Sequence, residues 1–242
     1  MNSVGLIGFG RFGRVLAKIL TDDFIVRAFD TRSQDEFYGV EFVDWSEVVK
    51  EENIFVAVPI HSFKAVIHRL SSDLRSPATI IDVCSVKVYP VTVMREHLPE
   101  TVDIIATHPL FGPDSINSPE GLKIMMDSVR DNHGRFGSWR DYFAAKALQV
   151  IEMSPEQHDR LAAESQGITH FVGRVLREAG IKSTAIDTLG FHDLVQVIDQ
   201  TCNDSWELFM DLQNFNPYTL SVIQRLETAI GTVRGKILSR EA

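Results

Sequence analysis

Ser3-Val4-Gly5-Leu6-Ile7-Gly8-Phe9-Gly10-Arg11-Phe12-Gly13, running on into Arg14-Val15-Leu16-Ala17-Lys18-Ile19-Leu20, decides the fold. The short run 3–7 reads as a strand, and 14–20 carries the spacing of a helix with one apolar face. Gly8, Gly10 and Gly13 therefore lie in a turn between a strand and a helix, the setting that the G-x-G-x-x-G dinucleotide fingerprint requires. The first glycine permits the tight turn, the second lets backbone approach a pyrophosphate, and the third allows close helix–strand packing. Arg11 and Phe12 sit inside this turn, and the N–H groups that open the helix face the phosphates. Asp30 ends the next apolar run, about twenty positions after Gly10, where a carboxylate accepts the ribose hydroxyls of NAD. Such a carboxylate repels a 2′-phosphate and favours NAD over NADP. Arg32, two positions on, either pairs with a 2′-phosphate or stacks on adenine, which keeps NADP open.

Outward from this turn, apolar runs recur at 25–29, 54–58, 79–83 and 102–106, with helical or polar stretches between them. A further run at 122–129, a helix at 137–147 and a short strand near 149–151 follow. The alternation predicts an α/β fold: a Rossmann-type, doubly wound, mostly parallel sheet covered by helices. Val58-Pro59 ends one strand at the C-terminal edge of the sheet, where such folds bind ligands; a strand simply stopped by proline reads the same. From Ser154 onward the period-2 pattern disappears and three long helical patterns replace it. Ser154-Pro155-Glu156-Gln157 is a helix start, with Ser at the N-cap, Pro at the first helical position and Gln placed to close a capping box. That helix is expected to reach Ala179 and stop at Gly180, and Asn216-Pro217 repeats the cap logic for a last helix. The expected organisation is a dinucleotide-binding domain over 1–152 and an all-helical substrate and dimerisation domain over 153–242. A helical segment with so little core of its own commonly packs against a second copy, so a homodimer is expected.

The chain has 242 residues, 44% of them hydrophobic and 24% charged, which excludes disordered and fibrous classes. Its formal net charge of −9 argues against nucleic acid or anionic lipid as a partner, because both need a positive field. A small-molecule substrate is the default. Cys84 and Cys202 have no metal-type spacing, so no metal site and no disulfide framework is expected, as in a reducing compartment. No basic-then-apolar leader opens the chain and no apolar run approaches ~18 residues, so a cytoplasmic protein with no membrane span is expected.

Two further segments end apolar strands at the same edge of the sheet: Asp82-Val83-Cys84-Ser85-Val86-Lys87 and Thr107-His108-Pro109-Leu110-Phe111-Gly112-Pro113-Asp114-Ser115. With the glycine turn and the stretch Glu156-Gln157-His158-Asp159-Arg160 through Gly173-Arg174-Val175-Leu176, they occur in an order and spacing that resembles the prephenate and arogenate dehydrogenases of tyrosine biosynthesis. The resemblance covers essentially the whole chain. Ile186-Asp187-Thr188 and the last helix look like the plant-type arogenate enzymes, whereas Asp30 departs from their NADP pattern.

The resemblance implies a cyclohexadienol substrate with a ring carboxylate: hydride leaves C4, carbon dioxide is lost and the ring becomes aromatic. The C4 hydroxyl must give up its proton, and a histidine, with an ordinary pKa of about 6.5, suits that task. The resemblance puts His108 in this role and gives Ser85 a hydrogen bond to the reacting hydroxyl. Lys87 either positions that loop or forms a structural ion pair, and Cys84 reads as a small buried residue. Asp114 and Ser115 fall to the substrate. Gln166, His170 and Arg174, spaced by four, form a polar stripe read either as ligand contact or as a solvated face or satisfied interhelical hydrogen bonds. His158, at the start of the same helix, is assigned a structural role. Many prephenate enzymes carry an arginine for the side-chain carboxylate where this chain has Gln196, so Arg174 or a second subunit is expected to replace it. Asp204 matches an acid of arogenate-using relatives and would attract the ammonium that distinguishes arogenate; Trp206 lines the pocket or belongs to the core. The other enzyme class weighed is a β-hydroxyacid dehydrogenase, which wants a lysine that 154–179 lacks. A non-catalytic NAD-binding regulator is the remaining alternative, disfavoured by His108 and Ser85.

Overall fold

A computed structural model of the chain describes residues 3–74, 77–112 and 121–239. The described residues form two compact units that divide between His158 and Asp159. The first is built on one eight-stranded sheet, in the order β3-β2-β1-β4-β5-β6-β7-β8. The strands are β1 (Ser3–Ile7), β2 (Ile25–Phe29), β3 (Val40–Phe42), β4 (Asn53–Val56), β5 (Thr79–Asp82), β6 (Asp103–Pro109), β7 (Lys123–Arg130) and β8 (Gln149–Glu152). From β3 to β6 every pairing is parallel; β7 runs antiparallel to β6, and β8 is parallel to β7. Strand order reverses between β1 and β4, so the turns that follow these two strands flank the switch point at which open α/β sheets bind ligands.

The mostly parallel sheet agrees with the period read from sequence. β3 was not expected. It has three residues, two of them exposed, at the sheet edge, and so carries neither an apolar run nor a full alternation.

Helix α1 (Arg11–Leu20) buries Gly13, Val15, Leu16, Ala17 and Leu20 against the sheet. Burial of each large aliphatic side chain there stabilises by roughly 1.5–3 kcal/mol. α2 (Trp45–Val48), α3 (Ile60–Asp73) and α4 (Val88–His97) fill the connections, and α5 (Arg135–Ala145) drives Trp139 and Phe143 into the core. Trp139 meets the ring of Phe55 edge-on at 4.9 Å, which ties α5 to the centre of the sheet.

The second unit is helical. α6 (Pro155–Ala162) opens on the N-cap that its sequence predicts: Ser154 Oγ accepts the N–H of Gln157 at 3.2 Å. The chain crosses from one unit to the other inside this helix. It does not continue as one α-helix to Ala179. A π-helical turn, Ala163–Gly167, separates α6 from α7 (Ile168–Glu178), after which Gly180 takes φ +73° and stops it. The side chain of Gln213 donates to the carbonyl of Gly167 at 3.0 Å, a partner from outside the helix for one carbonyl of the widened turn.

Where three helical stretches were expected, the described residues from Ser154 onward hold five α-helices. α8 (Leu189–Cys202) and α9 (Trp206–Phe215) are separated at Ser205, whose hydroxyl caps α9 by accepting the N–H of Leu208 at 3.1 Å. α10 (Thr219–Leu238) follows a turn in which Asn216 accepts the N–H of Tyr218.

Candidate active site

The turn after β1 is shaped by close backbone approach. Gly8 has φ +97°, and a Cβ there would overlap the carbonyl of Ala57 at the end of β4. A Cβ on Gly13 would overlap the carbonyl of Gly8. Both glycines are thus required by the protein's own packing. Gly10 is different: a Cβ would meet nothing within 4 Å. The absent side chain leaves a cradle before α1, a helix that opens with no side-chain cap and no acidic residue in its first turn. That arrangement suits a pyrophosphate, since a helix N-terminus presents N–H donors and a partial positive charge.

Asp30 follows β2 at the same edge. Its Oδ2 accepts the N–H of Phe9 at 2.7 Å and its Oδ1 that of Arg32 at 2.8 Å, so the carboxylate fastens the glycine turn to the loop after β2. Each carboxylate oxygen has a second lone pair, which leaves acceptor capacity for ribose. The Arg32 side chain is 74% exposed, with Nε 3.6 Å from Asp30. Arg11 is exposed, and the half-buried ring of Phe12 lies 6.2 Å from that of Phe111 beyond β6. Val58 and Pro59 follow β4 on the other side of the switch point, half-buried and exposed respectively.

The segment after β5 is strapped to β6. Lys87 is wholly buried, ion-paired with Asp82, and donates to the carbonyl of Thr107. Asp82 Oδ1 also accepts the N–H of Cys84, and its own carbonyl receives the hydroxyl of Thr107 at 2.7 Å. Burial pushes the Asp82 carboxyl upward, opposed by the Lys87 ammonium. Of the two readings of Lys87, the structure thus supplies the ion pair, and through it the loop is held. Cys84 is buried, as expected. Ser85 is the one residue of 78–87 that is not buried.

His108, near the end of β6, is buried. Its Nδ1 lies 2.7 Å from Nε2 of His158, also buried, with the two rings at 75°. Burial holds His108 well below the ordinary histidine range, and both His158 and the Lys87 ammonium add to this. The neutral imidazole, the form able to take up a proton, is favoured at physiological pH. His158, for which a structural role was expected, thus touches the candidate base. A spacing of 50 residues hid the pair, although both histidines lie in the motifs quoted above. Asp114 and Ser115 lie outside the described residues.

In the helical unit, Gln166 belongs to the π turn and is half-buried, as are His170, Arg174 and Asp204. Arg174 Nη2 donates to the carbonyl of Asp204 at 2.6 Å, with longer contacts to those of Ser205 and Thr201. Its guanidinium lies 5.2 Å from the ring centre of Trp206 and 5.3 Å from that of Phe209. Arg174 thus ties the end of α8 to the start of α9, and this commitment weakens its candidacy as the carboxylate partner. Trp206 is not core: it is 61% exposed. Gln196 is exposed beside His192. Burial lowers the pKa of His170, with Asp204 opposing and Arg174 adding to the shift. Among the described residues of this unit, His170 Nδ1, Arg174 Nε and Gln213 Oε1 are buried atoms with no hydrogen-bond partner.

Comparison with known proteins follows the same division. The family model for the nucleotide-binding domain of prephenate dehydrogenase matches residues 31–123, and that for a TYRAAT1-like C-terminal domain matches 175–242. Arogenate dehydrogenase 2, chloroplastic, of Arabidopsis thaliana is 33% identical over 98% of this chain and 70% of its own length. Arogenate dehydrogenase 1, chloroplastic, of the same plant is 32% identical over 98% of this chain, which spans only 40% of that relative. Among solved structures, prephenate dehydrogenase of Aquifex aeolicus in complex with hydroxyphenyl propionate and NAD+ superposes with a TM-score of 0.78 at 19% identity, over 99% of this chain and 92% of that one. Arogenate dehydrogenase of Synechocystis gives 0.71 at 17% identity, over 99% and 93%. At these identities the structures establish a shared fold.

Proposed function

The chain belongs to the family of arogenate and prephenate dehydrogenases, and on that premise we propose that it oxidises arogenate or prephenate with a nicotinamide dinucleotide, releasing carbon dioxide and tyrosine or 4-hydroxyphenylpyruvate. The observation that carries this reading is the buried imidazole of His108 at the end of β6, held below the ordinary histidine range by burial, beside a loop strapped to the same strand through Lys87. His108 takes the proton of the substrate's C4 hydroxyl, and Ser85 hydrogen-bonds the same oxygen to orient it. A bound NAD or NADP would supply the hydride acceptor. Loss of carbon dioxide aromatises the ring and makes the reaction effectively irreversible.

The turn Gly8–Gly13 with Arg11 and Phe12 would hold the pyrophosphate, Asp30 the adenosine ribose, and Val58 and Pro59 the far side of the cleft. NAD is the proposed cofactor, because a carboxylate at Asp30 disfavours a 2′-phosphate; the exposed Arg32 is the group that would admit NADP. Arogenate is the proposed substrate. Asp204 offers a carboxylate for its ammonium, and Gln166 and His170 supply the polar contacts beside it.

We propose a homodimer formed by the helical unit, supported by Ile230, Val233 and Ile237, which recur along one face of α10 and are all more than half exposed. None of the described helices is long and apolar enough to cross a membrane. Two buried thiols, Cys84 and Cys202, support a reducing compartment such as the cytoplasm.

The test is the purified protein with NAD or NADP, each with arogenate and with prephenate, followed at the absorbance of the reduced nicotinamide. NAD with arogenate is expected to give the highest kcat/KM. Absence of reduction in all four combinations would overturn the assignment, and a monomeric mass in light scattering at micromolar concentration would overturn the dimer.

A further inference from the structure

We propose that His158 is a positioning residue for His108: it accepts the Nδ1–H of His108 and so fixes the tautomer that leaves Nε2 as a lone pair facing the reaction. This role rests on the dehydrogenase reading above. Two neutral imidazoles whose nitrogens stand 2.7 Å apart share a single proton between them. With that proton on His108 Nδ1, Nε2 is the basic nitrogen. With it on His158 Nε2, His108 carries its own proton on Nε2 and cannot act as a base. Both rings are buried, at 3% and 4% exposure, so water does not exchange one arrangement for the other freely, and the choice is made by the neighbouring groups.

Those neighbours make an uncharged partner the fitting one. Lys87, itself ion-paired to Asp82, is the ammonium that faces His108, and His158 on α6 is the other titratable group that acts on it. A carboxylate in the place of His158 would pull His108 towards the imidazolium before substrate arrives. An imidazole supplies the same acceptor without the charge. When the substrate's O–H bond breaks and an N–H bond forms at His108 Nε2, the Nδ1–H bond stays intact, and the lone pair of His158 remains bonded to the cation that results. His158 is itself fixed, because it stands in the first turn of α6 with its backbone N–H on the carbonyl of Ser154 at 2.9 Å.

The experiment uses the full chain with 15N-labelled histidine, together with His158→Phe and His158→Gln. Long-range 1H–15N spectra of the wild type, without cofactor, should show His108 protonated at Nδ1 alone. In His158→Phe the ring volume is kept and the acceptor is lost. The tautomer should become mixed and kcat should fall at least tenfold, with a displaced pH profile and an unchanged KM for the dinucleotide. His158→Gln offers an amide oxygen to the same N–H and should restore both the tautomer and most of kcat. A wild-type spectrum protonated at Nε2, or a His158→Phe enzyme with wild-type kcat and pH profile, would overturn the proposal. If His158→Phe fails to fold, the wild-type spectrum and the His158→Gln kinetics still decide. A wild type that reduces no dinucleotide counts against the dehydrogenase reading, while the spectrum still decides the tautomer.

Discussion

Lys87 pairs with Asp82 in an ion pair with no exposed side-chain surface, and the same ammonium reaches the carbonyl of Thr107, the residue before His108. A buried pair of this kind adds little stability over an apolar replacement, but removing one partner strands the other charge in a medium that cannot solvate it. Lys87→Met is therefore expected to lower unfolding free energy by about 3–5 kcal/mol in urea titrations. Asp82→Leu combined with Lys87→Met should recover much of that loss while leaving activity poor, because the strap on Thr107 is gone. A single variant as stable as the wild type would show that the pair does not hold the loop.

His108→Asn is expected to lower kcat by at least ~10²-fold, the contribution typical of a positioned general base. The dinucleotide should bind with unchanged affinity in a fluorescence titration, since Gly8, Gly10 and Asp30 are untouched. Turnover close to wild type would remove His108 from the role of base.

The depressed pKa of His108 also fixes how stability responds to acid. In the unfolded chain this imidazole gains a proton as pH falls below about 6.5, whereas the folded protein resists protonation until well below that value. Between the two values the unfolded state holds more protons, so the group's contribution to stability falls as pH drops below about 6.5. His170, lowered by burial, acts in the same direction. The loss of urea midpoint between pH 7.5 and pH 5.5 should accordingly be smaller in His108→Asn than in the wild type. An equal loss in both proteins would show that His108 is readily protonated when folded.

The three glycines of the opening turn should separate by experiment. Gly8→Ala and Gly13→Ala force a Cβ into a backbone carbonyl, and at Gly8 also impose a side chain on φ +97°. Both should lower Tm by several degrees. Gly10→Ala meets no protein atom and should keep Tm while weakening the dinucleotide by ~10-fold or more. Equal loss of Tm in all three would mean that the cradle at Gly10 serves folding alone.

What the sequence made legible was whatever depends on near neighbours. The strand, turn and helix around Gly8, the N-cap at Ser154 and the stop at Gly180 are local patterns, and each recurs in the structure. The π turn at 163–167 is not local: the carbonyl of Gly167 is held by Gln213, on a different helix. The same holds for the site. Ser85 and His108 could be named from their motifs, but their support could not. Lys87 acts across two strands, and His158 meets His108 only because the first turn of α6, which follows directly on β8, belongs to the same unit as β6. Arg174 could be read either as a ligand contact or as a group spent on interhelical hydrogen bonds, and no local pattern shows that its Nη2 goes to the carbonyls of the α8–α9 turn.

That last arrangement leads to a test of substrate choice. Arg174 holds the backbone of Asp204 at 2.6 Å and is flanked by Trp206 and Phe209, so the turn that carries the Asp204 carboxylate is fixed before any ligand binds. A charge-assisted hydrogen bond from the arogenate ammonium to that carboxylate would contribute ~1.5–3 kcal/mol, about 10- to 100-fold in kcat/KM. Prephenate, with a keto group in that place, gains nothing from it. Asp204→Asn should thus lower kcat/KM for arogenate by at least ~10-fold and leave that for prephenate equal or higher. Arg174→Met should weaken both substrates together, through loss of the turn's geometry. If Asp204→Asn instead lowers the two substrates equally, Asp204 supports the α8–α9 turn and the head group is read elsewhere.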